Sequence, residues 1–260
     1  MCIRDRFSKD VAIGIILFSI FIYFGLTNMP WLPLILIYGL IGFKIGGLKL
    51  SLTIVASFLF ITFTGVLPQA LLSIYLCGIA VIISFILGSS LGIWAAHNDK
   101  VSAFMRPIND TMQTMPSFVI LIPFVMFFGI GEFTALLAII AYAFVPAMRY
   151  TEHGLRNLPE TVIEAARMIG CSQTQLLWKV KIPLAMPVIM LGLNQTIMFG
   201  LAMLVIAALV GTTGLGQLIY IGLSKADFGT GMISGVSIAL IAIIFDLSLI
   251  HISEPTRLHG

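Results

Sequence analysis

The sequence predicts an all-α membrane protein: a polytopic transmembrane helical bundle of about seven or eight spans with one long polar loop. Of its 260 residues, 59% are hydrophobic and only 10% are charged, and the mean hydropathy is +1.09. Soluble domains carry about 25% charged residues, and a soluble core could not bury so much apolar surface. The apolar runs are continuous rather than alternating with polar residues, which disfavours a β-barrel.

Eight apolar segments are candidates for membrane-spanning helices, since a span needs about 20 apolar residues. Their expected bounds are 10–27, 31–47, 51–67, 70–96, 114–130, 133–150, 184–210 and 229–249. The second and third segments are separated only by Gly46-Gly47 and the flanking Lys44 and Lys49. We group residues 7–67 as N-terminal transmembrane helices and residues 68–249 as the transmembrane core.

The basic residues predict which side of the membrane each loop faces. If the polar loop 151–183 is cytoplasmic and the spans alternate, every Lys and Arg except Lys225 lies on the inside. Multi-pass membrane proteins carry such an excess of basic residues in their cytoplasmic loops. We therefore expect the long loop to face the cytoplasm.

Both ends of the chain differ in composition from the rest. Residues 1–6 read MCIRDR and residues 250–258 read IHISEPTRL. Both resemble translated sequencing-adapter sequence. We therefore expect residues 1–6 and 250–260 to be non-native, and we assign them no function.

The sequence gives no support to several other kinds of site. Cys2, Cys77 and Cys171 have no paired spacing, and His97 and His153 have no metal-ligand spacing. We expect no metal, no cofactor and no catalytic residue. The basic residues are scattered over loops and form no stripe, so no nucleic-acid partner is expected.

The polar loop 151–183 predicts two short helices that lie against the inner face of the membrane. After Pro159, apolar side chains recur on one helical face. They are Val162, Ile163, Ala166 and Ile169. Gly170 follows at a helix C-cap position. A second amphipathic turn is expected to begin at Leu176, Leu177 and Val180.

The polar loop contains Glu164-Ala165-Ala166, then Gly170, and it ends with Val180, Ile182 and Pro183. The spacing of these residues resembles the EAA loop of bacterial ABC-importer permeases. Further segments between residues 70 and 247 look like permease subunits of glycine betaine/L-proline (quaternary-amine) importers. They are LGIWAAHND (91–99), RPINDTMQTMPSFVILIPFVMFFGIG (106–131), IPLAMP (182–187), LNQTIM (193–198) and GLGQLI (214–219).

The resemblance implies a type I ABC importer permease in the bacterial inner membrane, surrounded by lipid. It also implies a homodimer that works with a cytoplasmic ABC ATPase and an extracytoplasmic substrate-binding protein. The residues it assigns to ATPase coupling are Glu164, Ala165, Ala166, Gly170 and Pro183. An interfacial helix that only anchors the loop to lipid headgroups is the alternative interpretation.

Two further segments are candidates for transport itself. Asn194, Gln195 and Thr196 lie near the middle of one expected span, where amides must find partners. They form either a polar patch on the translocation path or interhelical hydrogen bonds. In the glycine-rich outer loop, Gly214, Gly216 and Gln217 are implied by resemblance to form a gate, and a flexible turn is the alternative.

These observations predict a transport subunit rather than an enzyme, with ATP hydrolysis in a partner. The expected cargo is a compatible solute such as glycine betaine or proline betaine. One alternative is an importer permease for methionine or another amino acid. The other is an ion-coupled carrier or channel, which the near absence of ionisable residues from the spans disfavours. Glu132 and Asp246 are expected to lie at helix ends.

Overall fold

The structure, a computed structural model, describes residues 31–253, and over that range it is helical without strands. The expected span 10–27 and residues 1–6 lie outside the described residues. The principal helices are α1 Trp31–Phe63, α2 Leu67–His97, α3 Asp99–Thr114, α4 Ser117–Phe128, α5 Glu132–Arg156, α6 Glu160–Met168, α7 Ile182–Ala207, α8 Leu215–Ser224 and α9 Phe228–Ser253.

Helix α1 folds back on itself at Gly46-Gly47, where Gly47 has a φ of 70°. In a straight helix, Tyr38 and Phe58 would lie about 30 Å apart at 1.5 Å per residue. Their rings instead stack with centroids 5.2 Å apart. The Ser51 hydroxyl also donates to the Gly39 carbonyl at 2.9 Å. The break therefore falls where the sequence predicts it, and α1 consists of two antiparallel arms.

The number of spans is smaller over the described residues than the sequence predicts for the whole chain. Five helical stretches are long and apolar enough to span: α1, α2, α5, the run Gln173–Val210 and Phe228–Leu249. A sixth is added if α3 and α4 count as one bent span. A total of seven or eight, which includes 10–27 and counts both arms of α1, stays a prediction.

The expected span 114–130 is wrong in detail, because the chain bends by 103° between α3 and α4. Met115 is extended, as the residue before a proline prefers, and Pro116 follows it. Helix α3, which lies outside the expected spans, begins where the Asn98 side chain accepts from the Lys100 amide at 3.0 Å. Helix α4 is then only 12 residues long.

Helices α2, α5 and α7 pack together as the centre of the bundle. Small residues allow the close approach, as is usual between helices in membranes. A Cβ at Gly92 of α2 would lie 2.7 Å from the Met148 carbonyl of α5, and one at Gly192 of α7 would lie 2.7 Å from Tyr150. The polar loop starts from α5 and returns into α7, so both of its ends are fixed in this centre.

Candidate functional site: the cytoplasmic loop and its supports

Helix α6 forms the first part of the polar loop and ends in a Schellman motif. The Gly170 amide donates to the Arg167 carbonyl at 2.9 Å, and the Cys171 amide donates to the Ala166 carbonyl at 3.2 Å. Gly170 has a φ of 88°, a left-handed conformation that glycine adopts without strain. The structure therefore contains the expected helix and the expected bend at Gly170. The coupling role of these residues stays a prediction.

The second half of the loop differs from expectation, because no separate second helix forms. Ser172 and Gln175 make a capping box, with the Ser172 amide 3.0 Å from the Gln175 Oε1 atom. A wide π-helical turn, Leu176–Lys181, then continues directly into α7. The wide turn is compatible with Pro183, which has no amide to donate to the preceding turn.

Helix α6 leaves several of its apolar side chains exposed on this chain. Of the four residues on the expected apolar face, only Ala166 is buried, where α6 packs against the π-helical turn. At the end of α6, Met168 is 90% exposed and Ile169 is 84% exposed. Glu164 and Ala165 are exposed as well. The loop therefore presents an apolar tip with one carboxylate nearby, a composition suited to a partner surface.

A polar network supports the base of the loop, and the sequence analysis missed it. Arg156, the last residue of α5, donates from Nη2 to the Ala95 carbonyl at 2.7 Å. The same Nη2 atom lies 2.8 Å from Asp99, and Nε donates to Glu152 at 3.0 Å. The Ser102 hydroxyl donates to the same Glu152 oxygen at 2.5 Å. A partial signal was available, because Glu152 and Arg156 are spaced i, i+4 on one helix.

The three residues of the expected translocation patch have different environments. Asn194 donates from Nδ2 to the Asp246 carboxylate at 2.5 Å, and its own Oδ1 atom is buried without a partner among residues 31–253. The Thr196 hydroxyl donates to the Gly192 carbonyl of its own helix at 2.7 Å. Gln195 is partly buried and has no hydrogen bond among the described residues. The patch therefore does not act as one hydrogen-bonded unit.

Asp246 lies seven residues before the end of α9, and not at a helix end as the sequence predicts. Helix α9 continues past it to Ser253, so the carboxylate lies within an apolar stretch long enough to span. The hydrogen bond from Asn194 provides the partner that such a group needs away from water. Over the described residues, no group of three His, Cys, Asp or Glu side chains could hold a metal ion.

The expected outer gate is a tightly packed turn rather than a loose one. Gly214 has a φ of 139°, and a Cβ there would lie 2.6 Å from the Ser73 hydroxyl. That hydroxyl accepts from the Leu215 amide at 2.8 Å. A Cβ at Gly216 would lie 3.0 Å from the Leu204 carbonyl. Gln217 is partly buried on α8, so the flexible-turn alternative does not fit the packing.

The turn between α8 and α9 is ordered by one carboxylate. The Thr230 amide and hydroxyl donate to Asp227 at 3.2 Å and 2.6 Å. These hydrogen bonds from Thr230 hold the pKa of Asp227 below its ordinary value, with a smaller contribution from Lys225. Helix α8, with 10 residues, is too short to cross a bilayer.

The fold and the loop together define a class: a multi-pass helical membrane protein with a long polar loop inserted between two central helices. The chain belongs to the family of binding-protein-dependent transport system inner membrane components, whose model matches residues 88–253. The matched region includes the Arg156 network, the whole polar loop and the outer turn. Membership confirms a transport component of the inner membrane rather than an enzyme.

Several relatives in this family are similar over most of the chain. The glycine betaine/proline betaine transport system permease protein ProW of Escherichia coli (strain K12) is 37% identical over 90% of this chain. The glycine betaine permease OpuAB of Bacillus subtilis (strain 168) is 36% identical over 92%. The trimethylamine N-oxide permease TmoV of Pelagibacter ubique (strain HTCC1062) is 44% identical over 82%.

The chain covers different shares of these relatives. It spans 85% of OpuAB, but only 66% of ProW and 30% of TmoV. Among solved structures, an inward-facing crystal form of the MetNI methionine ABC transporter matches with a TM-score of 0.66 and 19% identity. That match covers 75% of this chain and 97% of the solved chain, and it confirms the type I importer permease fold.

Proposed function

We propose that this chain is the membrane-spanning permease subunit of an ATP-driven importer for compatible solutes of the glycine betaine and proline betaine type. The observation that carries the proposal is the α6 loop, a helix with an exposed apolar tip fixed between α5 and α7. The names of ProW and OpuAB support the solute class. The family description supports dependence on an external binding protein.

In this proposal the α6 loop is where a cytoplasmic ATPase docks. Ala165 is exposed and has no side chain beyond Cβ, so a partner helix or cleft can approach the backbone closely there, while Ala166 packs against the π-helical turn. Glu164 provides one directional contact, and the exposed Met168 and Ile169 provide apolar area. Gly170 fixes the turn of the chain after α6. The wide turn before Pro183 joins the loop to α7, so a push on α6 reaches the centre of the bundle.

The remaining partners are a second copy of this chain and surrounding lipid. A homodimer would use two copies of the loop for two ATPase subunits. The exposed apolar residues of α1, α4 and α9 are compatible with contact either to lipid or to the second copy. We propose that Asn194, Gln195 and Thr196 lie on the translocation path. We also propose that Gly214, Gly216 and Gln217 form the outer gate.

Two other functions each have one supporting observation. TmoV, at 44% identity, is named for trimethylamine N-oxide, a small methylated amine oxide, which favours that solute as a second candidate cargo. An ion-coupled carrier regains some support from Asp246, since carboxylates within spans often bind the coupling ion. The methionine alternative is supported only by a structural match at 19% identity, and that match shows the fold alone.

Uptake into proteoliposomes tests the proposal. The permease is reconstituted with its ATPase and binding protein, and labelled glycine betaine, trimethylamine N-oxide and methionine are offered separately. We expect glycine betaine uptake that requires ATP on the side of the membrane where the ATPase is bound. This uptake should persist when ionophores abolish the sodium and proton gradients. Uptake that is independent of ATP and stops with the ionophore would refute the ATP-driven assignment. Uptake of methionine alone would refute the solute class.

A further inference from the structure

Arg156 occupies a junction of three helices at the base of the α6 loop. It is the last residue of α5, and α6 begins four residues later at Glu160. Its guanidinium reaches the Ala95 carbonyl near the end of α2 and the Asp99 carboxylate at the start of α3. One side chain therefore joins the segment that leads into α6 to two other helices.

The contact with α2 uses a group that the helix itself leaves open. The last four carbonyls of a helix have no intrahelical partner, and α2 ends at His97. The guanidinium satisfies the Ala95 carbonyl at 2.7 Å, and a cation is favoured at that end of the helix dipole. Arg156 thus acts as a side-chain cap supplied by a neighbouring helix.

Arg156 also reaches α3 through Glu152 of its own helix, and this part of the network is largely sheltered from water. Glu152 has a side chain only 13% exposed, against 30% for Arg156. It accepts from both Arg156 and the Ser102 hydroxyl on one oxygen. Asp99, by contrast, is 93% exposed, so its ion pair with Arg156 is screened by solvent. The Glu152 and Ala95 contacts are therefore the important ones.

We propose that Arg156 is a positioning residue that makes α2 and α3 move together with the α6 loop when the ATPase acts on it. This inference rests on the proposed docking role of α6. With the network intact, displacement of α6 is passed to the ends of α2 and α3. Without it, α5 and α6 shift while α2 and α3 lag behind, and ATP is hydrolysed without solute transfer.

The geometry explains why arginine is needed. Nε donates toward Glu152 while Nη2 donates toward Ala95 and Asp99, so the planar guanidinium donates hydrogen bonds from two different nitrogens in two directions. A lysine places all its donors on one nitrogen and cannot serve both sides at the same distances. Arg156→Lys is therefore expected to keep the charge but recover only part of the coupling.

The test measures ATP hydrolysed per solute imported by the full complex in proteoliposomes. For Arg156→Gln we expect uptake to fall by about tenfold while ATPase activity and complex formation stay within about twofold, with Arg156→Lys between the two. Arg106→Gln is the matched control, because Arg106 is an exposed cytoplasmic arginine with no hydrogen bond or ion pair among the described residues. The inference would be overturned if Arg156→Gln hydrolysed the same number of ATP molecules per imported solute as wild type. It would also be overturned if uptake, ATPase activity and complex assembly were lost in parallel.

A second measurement separates this inference from the proposed function. Hydrogen exchange of the purified permease, followed over residues 95–103, is expected to be faster in Arg156→Gln and unchanged in Arg106→Gln. Equal exchange in all three proteins would overturn the proposed role of Arg156, whatever the transport result. Wild-type permease that fails to import any solute with ATP would overturn the proposed function, while the exchange result would still stand.

Discussion

At the scale of single residues, an amide and a carboxylate meet between two long apolar helices. Asn194 of α7 and Asp246 of α9 lie 2.5 Å apart and are separated by 52 positions in the chain. Hydrogen bonds between spanning helices contribute about 0.6 kcal/mol on average, and at most about 2 kcal/mol. A carboxylate left without its partner in an apolar span costs more than the bond itself contributes.

The pair can be tested with a double-mutant cycle. We expect Asn194→Leu to lower the free energy of unfolding in detergent by about 1 to 3 kcal/mol, because Asp246 loses its donor. The double variant with Asp246→Leu should regain most of that loss. If the pair also lines the translocation path, the stable double variant will assemble but import no solute. Additive losses in the double variant would show that the two side chains do not interact.

Close packing at Gly92 predicts a steric effect in the centre of the bundle. A methyl group there would meet the Met148 carbonyl at 2.7 Å and the Thr151 Cβ at 2.8 Å. We expect Gly92→Ala to destabilise the permease by about 1 to 3 kcal/mol, as overpacked cores do. Gly78 lies on the same helix with nothing within 4 Å, so Gly78→Ala is the control and should be neutral or slightly stabilising. Thermal unfolding of both variants measures the difference.

At the scale of elements, the α6 loop depends on one backbone conformation. Gly170 combines a φ of 88° with two hydrogen bonds that close the helix end. Ser172 and Gln175 then start the next turn without an intervening stretch of loose chain. The orientation of the exposed tip relative to α7 is therefore set by a few consecutive residues.

The left-handed backbone at Gly170 predicts that different substitutions there will have effects of different size. Gly170→Ala is expected to cost about 1 to 2 kcal/mol, since a Cβ is unfavourable in this conformation. Among the described residues, nothing would lie within 4 Å of a Cβ at this position, so the cost is conformational rather than steric. Gly170→Asn should be milder, because asparagine tolerates left-handed backbone. ATPase affinity, measured by titration in nanodiscs, should follow wild type, Asn and Ala in that order, and equal affinities would contradict this account.

Local signals in the sequence were sufficient for part of these elements. Helix α6, the bend at Gly170 and the break at Gly46-Gly47 follow from glycine positions and apolar spacing alone. Pro116 is a local signal for the bend between α3 and α4. The length of the apolar run around it instead favoured one continuous span. The Asn194–Asp246 pair and the Arg156 contacts to Ala95 and Asp99 join residues more than 50 positions apart. No local pattern encodes them, because they depend on which helices become neighbours.

At the scale of the whole molecule, the arrangement across the membrane links the loop to the outer turn. The basic residues predict that the α1 bend and the α6 loop face the cytoplasm, while Lys225 faces outward. Helix α2 connects the two sides, since Ser73 holds the outer turn and Ala95 holds Arg156. A rigid helix between two fixed ends is a direct route by which movement of the α6 loop can reach the proposed outer gate.

Cysteine labelling in a background without native cysteines tests this orientation. We expect Leu48→Cys, at the exposed bend of α1, to react with an impermeant thiol reagent only from the cytoplasmic side. Lys225→Cys, in the exposed turn after α8, should react only from outside. Labelling of both from one side would contradict the predicted topology of residues 31–253.

The central claim is that α6 is the docking site of the ATPase, and its binding affinity tests this most directly. The measurement is ATPase binding to the permease in nanodiscs, with wild type compared with Glu164→Lys and the double variant Met168→Asp, Ile169→Asp. We expect wild type to bind and both variants to lose at least about tenfold in affinity, since charge reversal and polar substitution remove contacts at a small interface. Unchanged binding by both variants, together with unchanged uptake, would contradict the account.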